Sequence, residues 1–233
     1  MASEVEALRG EVARAGRWGM TPQKFAVIVE DPAWPEHGGG KSKRGADGHY
    51  PLMTVAQIIA LPIRDVAADD AHYWLWATDN YLRDALNVME SRGFRFVRTW
   101  EWVKGEENDH GEIALQTGLG QYGRNCHEHL LFGTRGAAAV PPPNRRPKSV
   151  IVAKRGQHSA KPQAAWDVIE MVSRDGPRVE FNARLPREGW MAVGHETSGG
   201  TIEGFCAQYV DCPQQLGLFV PPTPAVQPDL FGG

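Results

Sequence analysis

The chain has 233 residues and a net charge of −3, with 42% hydrophobic and 23% charged residues. That is the make-up of a soluble globular protein with room for one sizeable α/β domain. It excludes a generic basic coat for nucleic acid. With no run near the roughly 18 apolar residues of a membrane span, it also excludes an integral membrane protein. Cys126, Cys206 and Cys212 form no CxxC pair, and the first twenty residues lack the long apolar core of a secretory signal. Both features point to a reducing, cytoplasmic compartment.

In chain order, residues 1–20 read as a short helix and connector. Residues 24–30 read as a buried strand, because a short apolar run ending at a turn signal suits a central parallel strand. Residues 35–49 are rich in glycine and lysine and read as a mobile loop. Thr54 opens a helix, with Gln57 completing a capping box. "AHYWLWAT" is a second strand, and Asp79 is a candidate cap for the next helix, whose Leu82, Ala85, Leu86 and Met89 share one face. Gly93 ends that helix in the left-handed conformation. "FRFVRTWEWVK", "HEHLLFGTR" and "KSVIVAK" are further strands, and residues 105–125 read as a long loop. A helix over 162–174 opens at Pro162, and "RVEFNAR" and "GWMAVGHE" close the sheet. From about Thr197 the chain thins into a tail rich in proline and glutamine. The domain reading is therefore 1–20 connector, 21–197 core domain and 198–233 tail.

Strands alternating with helices predict an α/β sheet covered on both faces, with its ligand at the carboxyl ends of the strands. "DPAW", Asp31 to Trp34, lies at one such end. Pro32 pushes Asp31 into an extended conformation and aims its carboxylate out of the sheet. The carbonyls of Pro32 and Ala33 lack strand partners and are expected to accept hydrogen bonds, while Trp34 supplies a flat plate. Acceptors beside a stacking ring suit a planar heterocycle with an exocyclic amine, such as adenine.

The further motifs follow in a fixed order: "YPLMT" at Tyr50 to Thr54, "YWLWAT", "WVK" at Trp102 to Lys104, "RNCHEHLLFGTRG", "HSAKP" at His158 to Pro162, "EFNAR", "EGW" and "GHE". In this series the chain resembles the MT-A70 adenine methyltransferases, over about residues 24–196. The resemblance implies a Rossmann-like fold dependent on S-adenosylmethionine, circularly permuted so that the catalytic motif precedes the cofactor motif. It implies that Asp31, Pro32, Ala33 and Trp34 hold the target base and that Tyr50 shapes its pocket. It implies that Lys161 meets the cofactor's methionine carboxylate, and that Glu180, Phe181, Asn182 and Arg184 lie beside its methionine and ribose, with Asp31 bordering it. His195 and Glu196 would contact ribose or adenine, and Glu128 would brace the site. Ala33, Asn182 and His195 depart from the family's usual Pro, Phe and Asn.

The implied activity is transfer of a methyl group to the N6 amine of adenine in DNA. An RNA adenosine methyltransferase and a non-catalytic subunit that presents nucleic acid stand as alternatives. Asp31 favours adenine over cytosine, whose related motif is led by serine. Two basic clusters, Lys41, Lys43 and Arg44, and Arg145, Arg146 and Lys148, suit contacts to phosphate, with simple solubility as the alternative. Gln215–Phe219 and Gln227–Phe231 resemble peptides that dock on the bacterial sliding DNA clamp, with a tail that folds back to cover the core as the alternative. "CHEH", Cys126 to His129, is not expected to bind metal, because alternate residues of a strand face opposite sides.

Overall fold

A computed structural model of the chain describes residues 24–35, 52–118, 120, 122–156, 160–173, 175–194, 197 and 200–211. In chain order these form β1 (Phe25–Glu30), α1 (Val55–Ala60), α2 (Ile63–Val66), β2 (Ala67–Ala77), α3 (Leu82–Ser91), β3 (Arg95–Glu107) and β4 (Ile113–Leu115). There follow β5 (His127–Arg135), β6 (Val150–Ala153), α4 (Gln163–Val172), β7 (Arg178–Phe181), β8 (Met191–Val193) and α5 (Ile202–Asp211). None of the described helices is long and apolar enough to cross a membrane.

The strands form one mixed sheet in the order β4-β3-β5-β2-β1-β7-β8, with β6 also paired to β3. β1 lies between β2 and β7 and is parallel to both. A strand covered on both faces must be apolar throughout, which explains the run Phe25 to Val29. β5 is antiparallel to β2 and β3. Its first residues therefore reach the edge of the sheet where β1, β2 and β7 end.

One face of the sheet packs Ile28, Tyr73, Leu75 and Leu131 against helical residues such as Ile58, Val88 and Met89. The other buries Val27, Val29, Trp74, Trp76, Trp100 and Trp102 with Trp166 and Ile169 of α4. Trp74, Trp76 and Trp102 are at most 1% exposed. Burying a large apolar side chain stabilises by about 1.5–3 kcal/mol, so this aromatic layer is a main support of the sheet.

Local signals behave as their chemistry demands. Thr54 and Gln57 form the reciprocal capping box, with Thr54 N donating to Gln57 Oε1 at 2.8 Å and Gln57 N to Thr54 Oγ1 at 3.2 Å. Gly93 has φ 78°, the left-handed stop after α3.

Four expectations need correction. Asp79 caps no helix: α3 starts at Leu82 after a short 3₁₀ turn, Asp79–Tyr81, and carries no side-chain cap. The Asp79 carboxylate is engaged by histidines of β5 instead. The 105–125 loop is interrupted, since β3 runs on to Glu107 and pairs with β4. Pro162 is the N-cap of α4 and precedes its first turn. The region after Thr197 includes α5, whose Ile202, Phe205, Cys206 and Tyr209 are buried in the core.

Candidate active site

Glu30 and Asp31 are adjacent, so they leave β1 on opposite faces. Glu30 is fully buried and bonded to the Tyr73 hydroxyl and the Arg92 guanidinium. Asp31 lies at the strand tip. Its Oδ1 is 3.2 Å from Lys161 Nζ, and its backbone N–H donates to the Phe181 carbonyl, which ties the tip to β7.

Lys161 joins Asp31 to a second carboxylate. Its Nζ donates to Glu128 Oε2 at 2.7 Å and sits 4.8 Å from the centre of the Trp76 ring. Lys104 Nζ donates to Glu128 Oε1 at 2.6 Å. The result is a chain, Asp31–Lys161–Glu128–Lys104, along the edge where β1 ends, β5 begins and α4 approaches. Burial alone would raise the Glu128 pKa, but Lys161 and Lys104 outweigh it and hold it at about 2. Burial would likewise lower Lys161, yet Asp31 and Glu128 keep it raised and charged. Asp31 is pushed up, by burial first and by Glu128 in addition, against the pull of Lys161. A carboxylate so placed has a stronger affinity for a proton than one in water.

The turn after Asp31 is built differently from the sequence expectation. The Pro32 carbonyl accepts from Trp34 N–H at 2.8 Å, and the Ala33 carbonyl from Met53 N–H at 2.9 Å. Neither is an unpaired acceptor, although each oxygen keeps a second lone pair. Trp34 is 6% exposed and stacks on Tyr81, with centroids 5.4 Å apart and planes 11° from parallel. Its indole N–H donates to the Trp76 carbonyl at 2.9 Å. Trp34 is thus an anchor that fixes the turn, and the open plate expected for stacking is not formed by it. The reason is burial: a ring this large gains more from the core than from standing in solvent.

Among the cofactor candidates, Glu180 is raised to about 7, chiefly by burial, with Arg187 opposing and Asp31 adding. Asn182 has φ 59°, a conformation that asparagine tolerates better than phenylalanine does, which accounts for its presence here. Its Nδ2 is buried and finds no hydrogen-bond partner among the described residues. Ala183 N–H bonds to the Val193 carbonyl, and a Cβ on Gly194 would lie 2.3 Å from the Ala183 carbonyl, so β7 and β8 meet here too closely for any side chain. A buried donor with no acceptor, two residues from a half-buried acid, fits a ligand that carries both hydroxyls and a cation, as S-adenosylmethionine does. Arg184 is half-buried and lies near enough to Asp31 to lower its pKa. The side chain of Phe181 does not face this place: it is fully buried and packs on Phe205.

Arg145, Arg146 and Lys148 are exposed but precede β6, whereas the chain reaches the site at Lys161 only after β6 ends. Tyr50, Lys41, Lys43, Arg44, His195, Glu196 and both tail peptides lie outside the described residues. The sequence reading missed Lys104. The "WVK" strand end signals it, since a lysine closing a buried aromatic strand needs a buried partner.

These features can be set beside known proteins. The MT-A70 family pattern matches residues 25–196. The chain is 26% identical over 200 residues to the type II methyltransferase M.MunI of Mycoplasma sp, covering 78% of this chain and 81% of that protein. It is 30% identical over 183 residues to the N6-methyladenosine RNA methyltransferase MTA1 of Pyricularia oryzae, 74% of this chain and 46% of that one. To the N(6)-adenosine-methyltransferase catalytic subunit METTL3 of Homo sapiens it is 25% identical over 187 residues, 76% of this chain and 29% of that one. It spans only 29% and 25% of the MT-A70-like relatives from Medicago truncatula and Oryza sativa. With that pattern matched over residues 25–196, the chain belongs to the MT-A70 family, methyltransferases that depend on S-adenosylmethionine.

Proposed function

We propose that this protein methylates the N6 amine of adenine in DNA, with Asp31 as the residue that engages the amine. The observation that carries this reading is the charged chain at the tip of β1, in which Asp31 is held at 3.2 Å from Lys161 and its proton affinity is raised. S-adenosylmethionine, when bound, supplies the methyl group on a sulfonium.

The adenine amine is a poor nucleophile because its lone pair is delocalised into the ring. Asp31 accepts one amine hydrogen, and the second lone pair of the Pro32 carbonyl accepts the other. That pairing favours a pyramidal nitrogen with its lone pair directed away from the acceptors. The nitrogen sheds one proton as it gains the methyl group, and Asp31 is placed to take it. Lys161 and Glu128 keep the carboxylate in position and balance its charge, so positioning and electrostatics supply most of the rate. Glu180, Asn182 and Arg184 are assigned to the cofactor, and a base in a duplex must first leave the stack.

DNA is preferred over RNA because the relative named a type II methyltransferase matches this chain over 81% of its own length, whereas the relative named an RNA methyltransferase matches over 46% of its own. The peptides Gln215–Phe219 and Gln227–Phe231 would bring the enzyme to DNA through a sliding clamp. Unchanged clamp binding after deletion of residues 213–233 excludes that role.

The test is methyl transfer from labelled S-adenosylmethionine to single-stranded and duplex DNA and RNA. Wild-type protein should label adenine N6 in DNA. Asp31→Asn should lose at least about 100-fold in turnover, in line with loss of one key polar group at a reacting centre, while still binding cofactor. Full turnover in that variant would falsify the mechanism, and labelling confined to RNA overturns the choice of substrate.

A further inference from the structure

Beside the active edge but on the other face of β5 lies a second group of polar side chains. His127 and His129 are two residues apart on one strand, so they share a face, the one that carries buried Leu131. Glu128 points the other way, into the chain with Lys104 and Lys161. Asp79 meets the two histidines from the turn after β2, because Ala77 is paired with His129 in the sheet. Its Oδ1 is 2.8 Å from His129 Nε2 and 3.2 Å from His127 Nε2. All three ligand atoms lie within 4.8 Å of one another. On its far side, His129 Nδ1 is 2.7 Å from Glu101 Oε2 of β3.

The geometry points to a divalent transition-metal site of the zinc class, made by Asp79 Oδ1, His127 Nε2 and His129 Nε2. Ligand atoms about 2.0–2.1 Å from a tetrahedral ion are roughly 3.3 Å apart, so the spacing around Asp79 needs little adjustment to accept one. Two imidazoles and one carboxylate are a donor set suited to zinc, cobalt or nickel rather than calcium or magnesium. Glu101 completes the arrangement. It lies 2.7 Å from the ring nitrogen that does not ligate, close but not aligned for a hydrogen bond here; once aligned, a carboxylate in that place fixes the tautomer and strengthens the donor. Asp79 and His127 have side chains 44% and 32% exposed, so the ion has a path in and water can fill the fourth position. The expectation for "CHEH" considered only its own four residues, whereas Asp79, from the turn after β2, comes close to two of them.

The site bears on the turn 79–81. Tyr81 stacks on Trp34 and donates its hydroxyl to the Pro35 carbonyl at 2.8 Å. An ion on Asp79 would therefore brace, from behind, the turn that presents Asp31. This assignment rests on Asp79, His127 and His129 alone and stands whether or not the substrate is DNA.

The experiment uses the full chain without a histidine tag, stripped with chelator and titrated with Co²⁺ and then Zn²⁺. One equivalent of Co²⁺ should give visible bands of four-coordinate geometry, and Zn²⁺ should displace it and raise the unfolding temperature. His127→Ala and Asp79→Asn, both at partly exposed positions, should weaken binding at least tenfold with the fold intact by circular dichroism. Glu101→Gln should weaken it by roughly 10–100-fold without removing a ligand. Absence of binding in the wild type overturns the site. Binding that is unchanged in His127→Ala and Asp79→Asn also overturns it, since the ion then sits elsewhere on the chain.

Discussion

Glu30 and Asp31 are neighbours in sequence and hold opposite roles. Glu30 is closed in on every side: Arg92 and Tyr73 bond to its carboxylate, and Arg92 is anchored in turn to the Ile58 carbonyl at 2.8 Å. Asp31 has one lysine, shared with Glu128, and a side chain still 29% exposed. Both carboxylates are raised by burial, yet only the second retains a free approach for a ligand. A parallel strand thus gives its last interior residue to the fold and, on the mechanism proposed above, the next residue to chemistry, with the change of face between them separating the two.

The contrast can be broken from either side. Arg92→Met leaves Glu30 buried without its counter-ion and should cost about 3–5 kcal/mol of stability, measured by urea unfolding. Asp31→Asn should cost under about 1 kcal/mol in the same measurement while removing turnover. Equal losses of stability in the two variants would erase the distinction.

A smaller effect should appear in the pH dependence of stability. Glu128 is held at about 2, below its ordinary 4.5. The stability it contributes is present above pH 4.5 and is lost as pH falls towards 2, because the unfolded chain then takes up a proton that the folded chain refuses. Lys161→Met should flatten that acid limb, while Lys104 preserves part of it. Glu180 has the opposite sign. Raised to about 7, it is protonated in the folded chain where the unfolded chain is not, so stability falls as pH rises from 4.5 to 7. Glu180→Gln should remove this loss and raise the unfolding temperature at pH 8 by a few degrees, while weakening cofactor binding by roughly tenfold for one lost hydrogen bond to a charged group. A Gln variant no more stable at pH 8 than at pH 5, relative to wild type, contradicts the assignment.

Much of this was legible before any coordinates. The apolar run of β1, the alternating tryptophans of β2 and β3, the Thr54–Gln57 box and Gly93 are local signals, and local signals survive folding. Asp31 and Lys161 were legible as members of ordered motifs. What could not be read was where partners would meet. The antiparallel placing of β5 puts Glu128 between Lys104 and Lys161, and puts His127 and His129 against Asp79, through pairings dozens of residues apart. Trp34 was misjudged because a ring beside a strand tip can serve either core or cleft, and only Tyr81 and Trp76 decide between them. The helix Ile202–Asp211 was hidden by the proline-rich composition that follows it.

The parallel setting of β1 between β2 and β7 has a consequence for synthesis. The tip of β1 leaves the ribosome before its partners, since its ion pair with Lys161 and its backbone bond to Phe181 wait for residues 130 and 150 positions further along. A nascent or truncated product that stops short of Phe181 should therefore be inert rather than feeble.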